Sequence, residues 1–408
     1  MPKPIVALNR CAHDSSDEAV AEAVRATIEL AGGIPEKVRR ARQILIKPNY
    51  VGANSKPSED AVKRFKGRFV SCSEPCVNRA VVAAVRAANP GAEILFAEGV
   101  DARAPRTAAD VFGWMDANRL VDEYGVKLLN ANEGEIVPVP VPGGGLIHKA
   151  VMLRRELADV DAVVSVAKLK AHGTAGVTMS IKNMFGILPH GRYGSTHRNF
   201  MHTNYFRLMR IIVDIATTLR PDLAVVDGLV GSDFGMDHEP REMNVLLAGH
   251  DPVATDAVGA AVMGFDPHTD FPNEPFVVSE NHLRLAASVG VGTLDLTGTE
   301  VRGARIEDVR PAKRFSIQTE MKVTTEQAVG ARKAAVEQAA VFRARRPELL
   351  EKYAGQYVFL RDGEVQWSAA TLAEAADRAI QHLPRSEYGL AIQVLPESEE
   401  VEKAAAYA

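Results

Sequence analysis

Residues 161–190 read DAVVSVAKLKAHGTAGVTMSIKNMFGILPH. The run from Asp161 to Lys170 is nearly continuous in valine, alanine and leucine, so it reads as a strand buried on both faces, the kind found in parallel sheets. The strand leads into Lys168, Lys170 and His172, followed by the small residues Gly173, Thr174, Ala175 and Gly176, then Lys182 and Asn183. Three lysines and an imidazole within 15 residues are poor core material. Small residues let backbone N–H groups approach a ligand, and a helix expected from Thr178 to Phe185 would aim its positive end at the same loop. The segment therefore describes a receptor for a carboxylate or phosphate, with Asn183 orienting the anion or a carbonyl. Each lysine alone reads equally well as a solvated strand end.

Outward from this segment, strands and helices alternate. PIVALN, QILIKPNYV, AEILFAEG and DLAVVDGLVG read as further strands. DEAVAEAVRATIELAGG, EPCVNRAVVAAVRAANPG, TAADVFGWMDANRLVDEYG and DPVATDAVGAAVMG read as helices. The expected fold class is α/β: parallel or mixed sheets covered by helices, in two Rossmann-like lobes with a cleft between them, plus a small C-terminal α+β unit. In such sheets ligands lie outside the carboxyl ends of the strands. That rule selects 47–49, 98–101, 168–172 and 227–231, positions that are mostly polar or glycine.

The expected organisation is a core over 1–320, a charged helical connector over 321–348, a ββαβ unit over 349–400 with a hairpin turn at Asp362-Gly363, and a tail over 401–408. Gly143-Gly144-Gly145 lacks the strand–turn–helix setting of a phosphate loop and reads as a hairpin turn.

Composition narrows the function classes. The 408 residues are 46% hydrophobic and 25% charged, with 48 basic against 52 acidic side chains. A net charge of −4 gives no basic surface suited to nucleic acid. No apolar run reaches the roughly 18 residues of a membrane span, and the start lacks signal-peptide features. The expectation is a cytoplasmic protein with a small anionic substrate, no nucleic-acid or membrane partner, and a homo-oligomeric state left open. Three cysteines, Cys11, Cys72 and Cys76, are too few for an iron–sulfur cluster held by four thiolates. Cys72 and Cys76 precede a helix and read as a reactive pair or as small buried residues.

His172 is the natural acid/base, since imidazole exchanges protons near neutrality. Lys170 and Lys182 join it as candidate catalytic residues. Lys47, Asn49, Lys168, Thr178, Asn183, Asp227, Arg192 and Arg198 are the candidate substrate-binding residues. Pro48 favours an extended exit for Lys47 and would aim it at the cleft. Asp227 could orient a histidine or bind a cation, and Asp256 could face the cleft, whereas Asp251 reads as a helix cap. His190, His197 and His202 are candidate ligands for a divalent metal; the same stretch also reads as a substrate flap or a plain polar loop.

These motifs bear a family resemblance. Over roughly residues 5–310 the chain resembles the domain-of-unknown-function 362 family, through ILIKPNYV, SEPCVNRAVVAAV, AKLKAHGTAGVTMSIKNMFGILP, AVVDGLVG and GHDPVATDAVGAAVMGFDP. Many relatives in that family carry an inserted cysteine cluster that this chain lacks. The central segment is also similar to the nickel-dependent lactate racemase family, whose histidine, Ala-Gly and lysine fall at His172, Ala175, Gly176 and Lys182. That resemblance implies proton transfer by His172 and a nickel-pincer nucleotide on Lys182. Met179 and Ser180 stand where that family has paired glycines, which speaks against the nucleotide. The C-terminal unit resembles domain of unknown function 5678.

The expected function is proton transfer at carbon on a small carboxylate, racemase- or isomerase-like. A metal-assisted redox or ring-modifying enzyme and a non-catalytic binder of an anionic metabolite are the alternatives.

Overall fold

The computed structural model describes residues 3–54, 56–100, 106–190, 205–233, 239–317, 324–371, 374–375, 378 and 389–396. Its strands, in chain order, are β1 (Ile5–Arg10), β2 (Gln43–Lys47), β3 (Arg64–Phe65), β4 (Arg68–Phe69), β5 (Glu93–Glu98), β6 (Lys127–Asn130), β7 (Ile136–Pro140) and β8 (Ala150–Arg154). They continue with β9 (Ala162–His172), β10 (Gly176–Thr178), β11 (Leu223–Ser232), β12 (Pro240–Gly249), β13 (Glu300–Gly303), β14 (Tyr357–Arg361), β15 (Glu364–Ala369) and β16 (Leu390–Gln393).

One mixed sheet runs β13-β1-β12-β11-β9-β2-β5-β6, with β10 folding back on β9. Strands β11, β9, β2, β5 and β6 are mutually parallel, and β12 runs against its neighbours β1 and β11. This is the expected α/β class; the strands anticipated for two lobes join in a single sheet with a core on each face.

Alternation along β9 feeds both cores. Val164 and Val166 pack with the helices Asp17–Leu30 and Pro75–Ala88, through Val20, Val24, Val81 and Val85. Val163, Ala167, Leu169 and Ala171 face the opposite core, with Ile212, Val253 and Val258 from the helices Tyr205–Thr218 and Pro252–Val262. Both faces are covered, which is why β9 carries no polar residue but Ser165 before Lys168.

β7 and β8 form a hairpin around 142–145, as the glycine run suggests. Asp251 caps the Pro252–Val262 helix through the Ala254 N–H, also as read from the sequence. The Thr325–Tyr353 helix differs from a surface connector. Ala335, Ala339, Phe342 and Leu349, spaced at helical intervals, are buried in the larger core. Beyond it, β14 and β15 pair around Asp362 (φ 50°) and Gly363 (φ 81°), and β16 lies on the other side of β14. The helix expected between β15 and β16 falls largely outside the described residues.

Candidate functional site

The carboxyl ends of β2, β5, β9 and β11 come together because these strands are parallel neighbours. Lys168, Lys170 and His172 fall two apart on β9 and share the face of Val164 and Val166. Lys47 lies on the opposite face with Leu45. The site therefore wraps over the strand ends from one core to the other.

On the first face, Lys168 donates to Asp227 Oδ2 at 3.0 Å and lies 3.8 Å from Glu74 Oε1. All three side chains are buried. Asp227 also accepts the Glu74 N–H at 2.9 Å and the Leu229 N–H at 3.0 Å. The cation that Asp227 binds is thus an internal one, Lys168. Burial pushes the Glu74 carboxyl well above the ordinary carboxylate range, opposed by the neighbouring Lys168 charge.

On the second face, Lys47 donates to Glu98 Oε2 at 2.8 Å and to Pro48 O at 2.5 Å. Asn183 donates to Lys47 O at 3.0 Å and to Ser165 Oγ at 3.1 Å. Asn49 joins the two faces by donating to Asn183 Oδ1 at 3.0 Å while accepting from Lys170 at 3.0 Å. Gly186 leaves room for this pair: a Cβ there would lie 2.8 Å from Lys47 Nζ and 2.9 Å from Glu98 Oε1.

Lys170 stands apart. Its Nζ donates to Asn49 Oδ1 at 3.0 Å and Ser71 O at 2.9 Å, both uncharged acceptors. Among the described residues no carboxylate lies within ion-pairing distance of it, although only 2% of the residue is exposed. Burial in this setting, reinforced by the charges of Lys182 and Lys168, lowers its pKa to about 7.

His172 is half-buried at the end of β9, opposite Gly176. The backbone N–H groups of Thr174 and Ala175 converge on its Nδ1, at 3.1 and 3.2 Å. An atom that accepts two N–H groups carries no proton, so the neutral ring holds its proton on Nε2. That makes His172 a hydrogen-bond donor through Nε2, a refinement of the general acid/base role read from the sequence.

The helical segment after β10 also departs from expectation. Thr178 belongs to β10, paired with Lys170, and the helix begins at Ser180 and is only Ser180–Asn183, followed by a 3-10 turn over Met184–Ile187. Its first N–H groups are already taken: Ser180 and Ile181 both donate to Asp256 at 2.8 Å. Asp256 is therefore buried beneath this turn, away from any cleft, and its pKa rises to about 7 through burial. No anion-binding helix end remains there.

Lys182 is half-buried, with its Nζ 6.0 Å from the centre of the Phe185 ring. Its charge depresses the pKa of both Lys170 and His282. His282 is fully buried, edge-on to Phe276, with neither ring nitrogen hydrogen-bonded; burial first and Lys182 second bring its pKa down to about 3. Met179 fills the space against Gly259, where an added Cβ would lie 2.3 Å from its sulfur, and the Ser180 N–H is occupied. The backbone before Lys182 thus has no room to approach a bound nucleotide, and these residues do not fit a nickel-pincer group.

His190 donates its backbone N–H to Asn132 Oδ1 at 2.9 Å. Arg192, Arg198, His197 and His202 lie outside the described residues, as do Asp237 and His238 of the loop before β12. Among the described residues no cluster of three histidine, cysteine or carboxylate side chains is arranged to hold a metal. Cys72 and Cys76 are both buried, and their thiols are pushed up to about 11 and about 12, so neither is an activated thiolate. Sequence reasoning missed Glu74, Ser71 and His282. Glu74 sits in the quoted SCSEPC, where the cysteines drew attention, and a glutamate before a helix proline has the polar look of a cap.

The fold and site define an α/β protein with a buried lysine network, two of its members ion-paired, at the carboxyl ends of the parallel strands of a mixed sheet. Residues 44–261, more than half of the chain, match the family described as domain of unknown function DUF362, and the chain belongs to that family. It is similar to a thylakoid-associated protein of Synechocystis sp., 25% identical over 248 residues, covering 60% of this chain and 70% of that protein. Among solved structures it is similar to the lactate racemase apoprotein of Thermoanaerobacterium thermosaccharolyticum, with 11% identity and a TM-score of 0.41. That match covers 64% of this chain and 57% of the racemase chain. No helix among the described residues is long and apolar enough to cross a membrane.

Proposed function

We propose that the protein is an enzyme that moves a proton at the carbon beside the carboxylate of a small metabolite, in the manner of a racemase or isomerase. The observation that carries this reading is the contrast among the buried lysines. Lys47 and Lys168 have carboxylate partners, whereas among the described residues Lys170 meets only an amide oxygen and a carbonyl. A lysine amine with a pKa of about 7 is largely in its neutral form at slightly alkaline pH and can accept a proton.

In this reading Lys170 takes the proton from carbon. The Nε2–H of His172 donates to the oxygen on which negative charge develops. Lys182, half-buried and near enough for its charge to act on Lys170, pairs with the substrate carboxylate. Asn49 and Asn183 hold the framework. The metal-assisted alternative rests on His190 together with His197 and His202, of which only His190 lies among the described residues.

The test is exchange of carbon-bound hydrogen. The protein is incubated in heavy water with a panel of 2-hydroxy and 2-amino acids and followed by proton NMR. The expected result is loss of the α-hydrogen signal for at least one acid, abolished in Lys170→Met. Saturable binding without exchange would instead make the chain a binding protein.

A further inference from the structure

We infer that Lys170 also acts as a nucleophile, forming an imine with small ligands that carry both a carboxylate and an aldehyde or ketone. This deepens the proposed function and rests on its placement of Lys170 in the ligand site.

The geometry around Nζ supports this. A neutral amine has two N–H groups and one lone pair. Asn49 Oδ1 and Ser71 O are the two hydrogen-bond acceptors of Nζ among the described residues, which matches a neutral amine with both hydrogens engaged. An ammonium in the same place would have a third hydrogen to satisfy, with no carboxylate beside it among the described residues. The lone pair is then the remaining valence, and it is the feature a carbonyl carbon requires.

The neighbourhood favours the same form. Lys168 lies two residues back on the same face, and Lys182 acts on Lys170 electrostatically. A lysine desolvated beside other cations is the arrangement that activates an amine for covalent catalysis. Those cations also suit an acid better than a neutral aldehyde. Lys182, half-buried and near enough for its charge to act on Lys170, is assigned to the ligand carboxylate.

The reaction balances without another reactant. The Nζ lone pair attacks the carbonyl carbon, and the carbonyl π pair moves to oxygen. The two amine hydrogens leave with that oxygen as water, giving a neutral imine; uptake of one solvent proton gives the iminium. Loss of the hydrogen bonds to Asn49 and Ser71 accompanies the step, so the adduct is expected to be reversible.

The probe is glyoxylate, the smallest carbonyl carboxylate, chosen because Lys170 is buried. Full-length protein is treated with glyoxylate and sodium cyanoborohydride near neutral pH, which reduces the imine to a stable secondary amine. Peptide mapping by mass spectrometry should place a carboxymethyl group on Lys170. Lys170→Met, which removes the amine without burying a permanent charge, should lose that modification while keeping its circular dichroism spectrum. Lys182→Met should form it roughly tenfold more slowly, the equivalent of one partly desolvated ion pair.

Carboxymethylation confined to exposed lysines, with the Lys170 peptide unmodified in the wild-type protein, would overturn the inference even if the Lys170 variants failed to fold. Hydrogen exchange that depends on Lys170 without any adduct would overturn it and leave the proposed function standing. An adduct on Lys170 without exchange on any acid would support it and remove the proposed function.

Discussion

Lys168 and Lys170 project from the same face of one strand, two residues apart, yet among the described residues only the first has a counter-ion: Lys168 Nζ lies 3.0 Å from Asp227 Oδ2, whereas Lys170 Nζ donates to Asn49 Oδ1 and Ser71 O. Register creates the difference. β11 pairs Asp227 with Lys168, then breaks its register so that Ser232 is the next residue opposite β9, facing Lys170. A carboxylate aligned with one lysine is thereby absent from the other.

The pH dependence of activity should follow the Lys170 amine. Its pKa of about 7 means that the proton-accepting form grows as pH rises through neutrality. Exchange rates are expected to climb from about pH 6 to about pH 8 and then level. Stability is linked with the same sign. Between about 7 and the ordinary lysine value of 10.5, the unfolded chain holds a proton that the folded chain has released, so stability rises with pH across that window. Urea denaturation of Lys170→Met should lack this rise; an identical pH slope in the two proteins would contradict it.

The Lys47–Glu98 pair is buried on both sides, with side chains 1% and 3% exposed. Removing one charge strands the other. Glu98→Gln alone is expected to cost about 3–5 kcal/mol, and the double variant Lys47→Met/Glu98→Gln less than the sum of the two singles. Denaturant midpoints would reveal additivity if the pair were not coupled.

Asp256 should oppose Lys170 in its linkage. Its folded pKa of about 7 lies above the ordinary 3.8, so the folded chain holds the extra proton and stability falls as pH rises between those values. Asp256→Asn removes that fall. It also turns an amide hydrogen toward one of the Ser180 and Ile181 N–H groups, at a cost of about 1–3 kcal/mol. Melting curves at acidic and neutral pH separate the two effects.

Gly176 sits opposite His172 with φ +71°, and a Cβ there would lie 2.8 Å from the Pro275 carbonyl oxygen and from the Phe276 ring. Gly176→Ala should cost about 1–3 kcal/mol and displace the hairpin that holds Nδ1. His172→Ala, by contrast, should leave the melting temperature nearly unchanged and slow exchange by about 10²–10³-fold. Similar losses of stability in both variants would show that His172 is structural.

Much of the site was legible in one dimension. Nearly continuous apolar strands announced a sheet covered on both faces, and the polar residues at their carboxyl ends marked where the buried network lies. Asp251 and Pro252 at a helix start, and Asp362-Gly363 at a hairpin, act within a few residues and were readable for that reason. The Thr178–Phe185 helix was misjudged because β10 pairing with β9 competes for Gly176 to Thr178, a contact that local propensity does not contain.

Alone, the order of residues determined which groups stand at the strand ends, the lysines Lys47, Lys168 and Lys170 and the imidazole of His172 among them. Only the folded chain decided their charge. Whether an ammonium keeps its proton depends on the water it has lost and on the carboxylates brought beside it. Those carboxylates come from 51 and 59 positions away: Glu98 to Lys47 and Asp227 to Lys168.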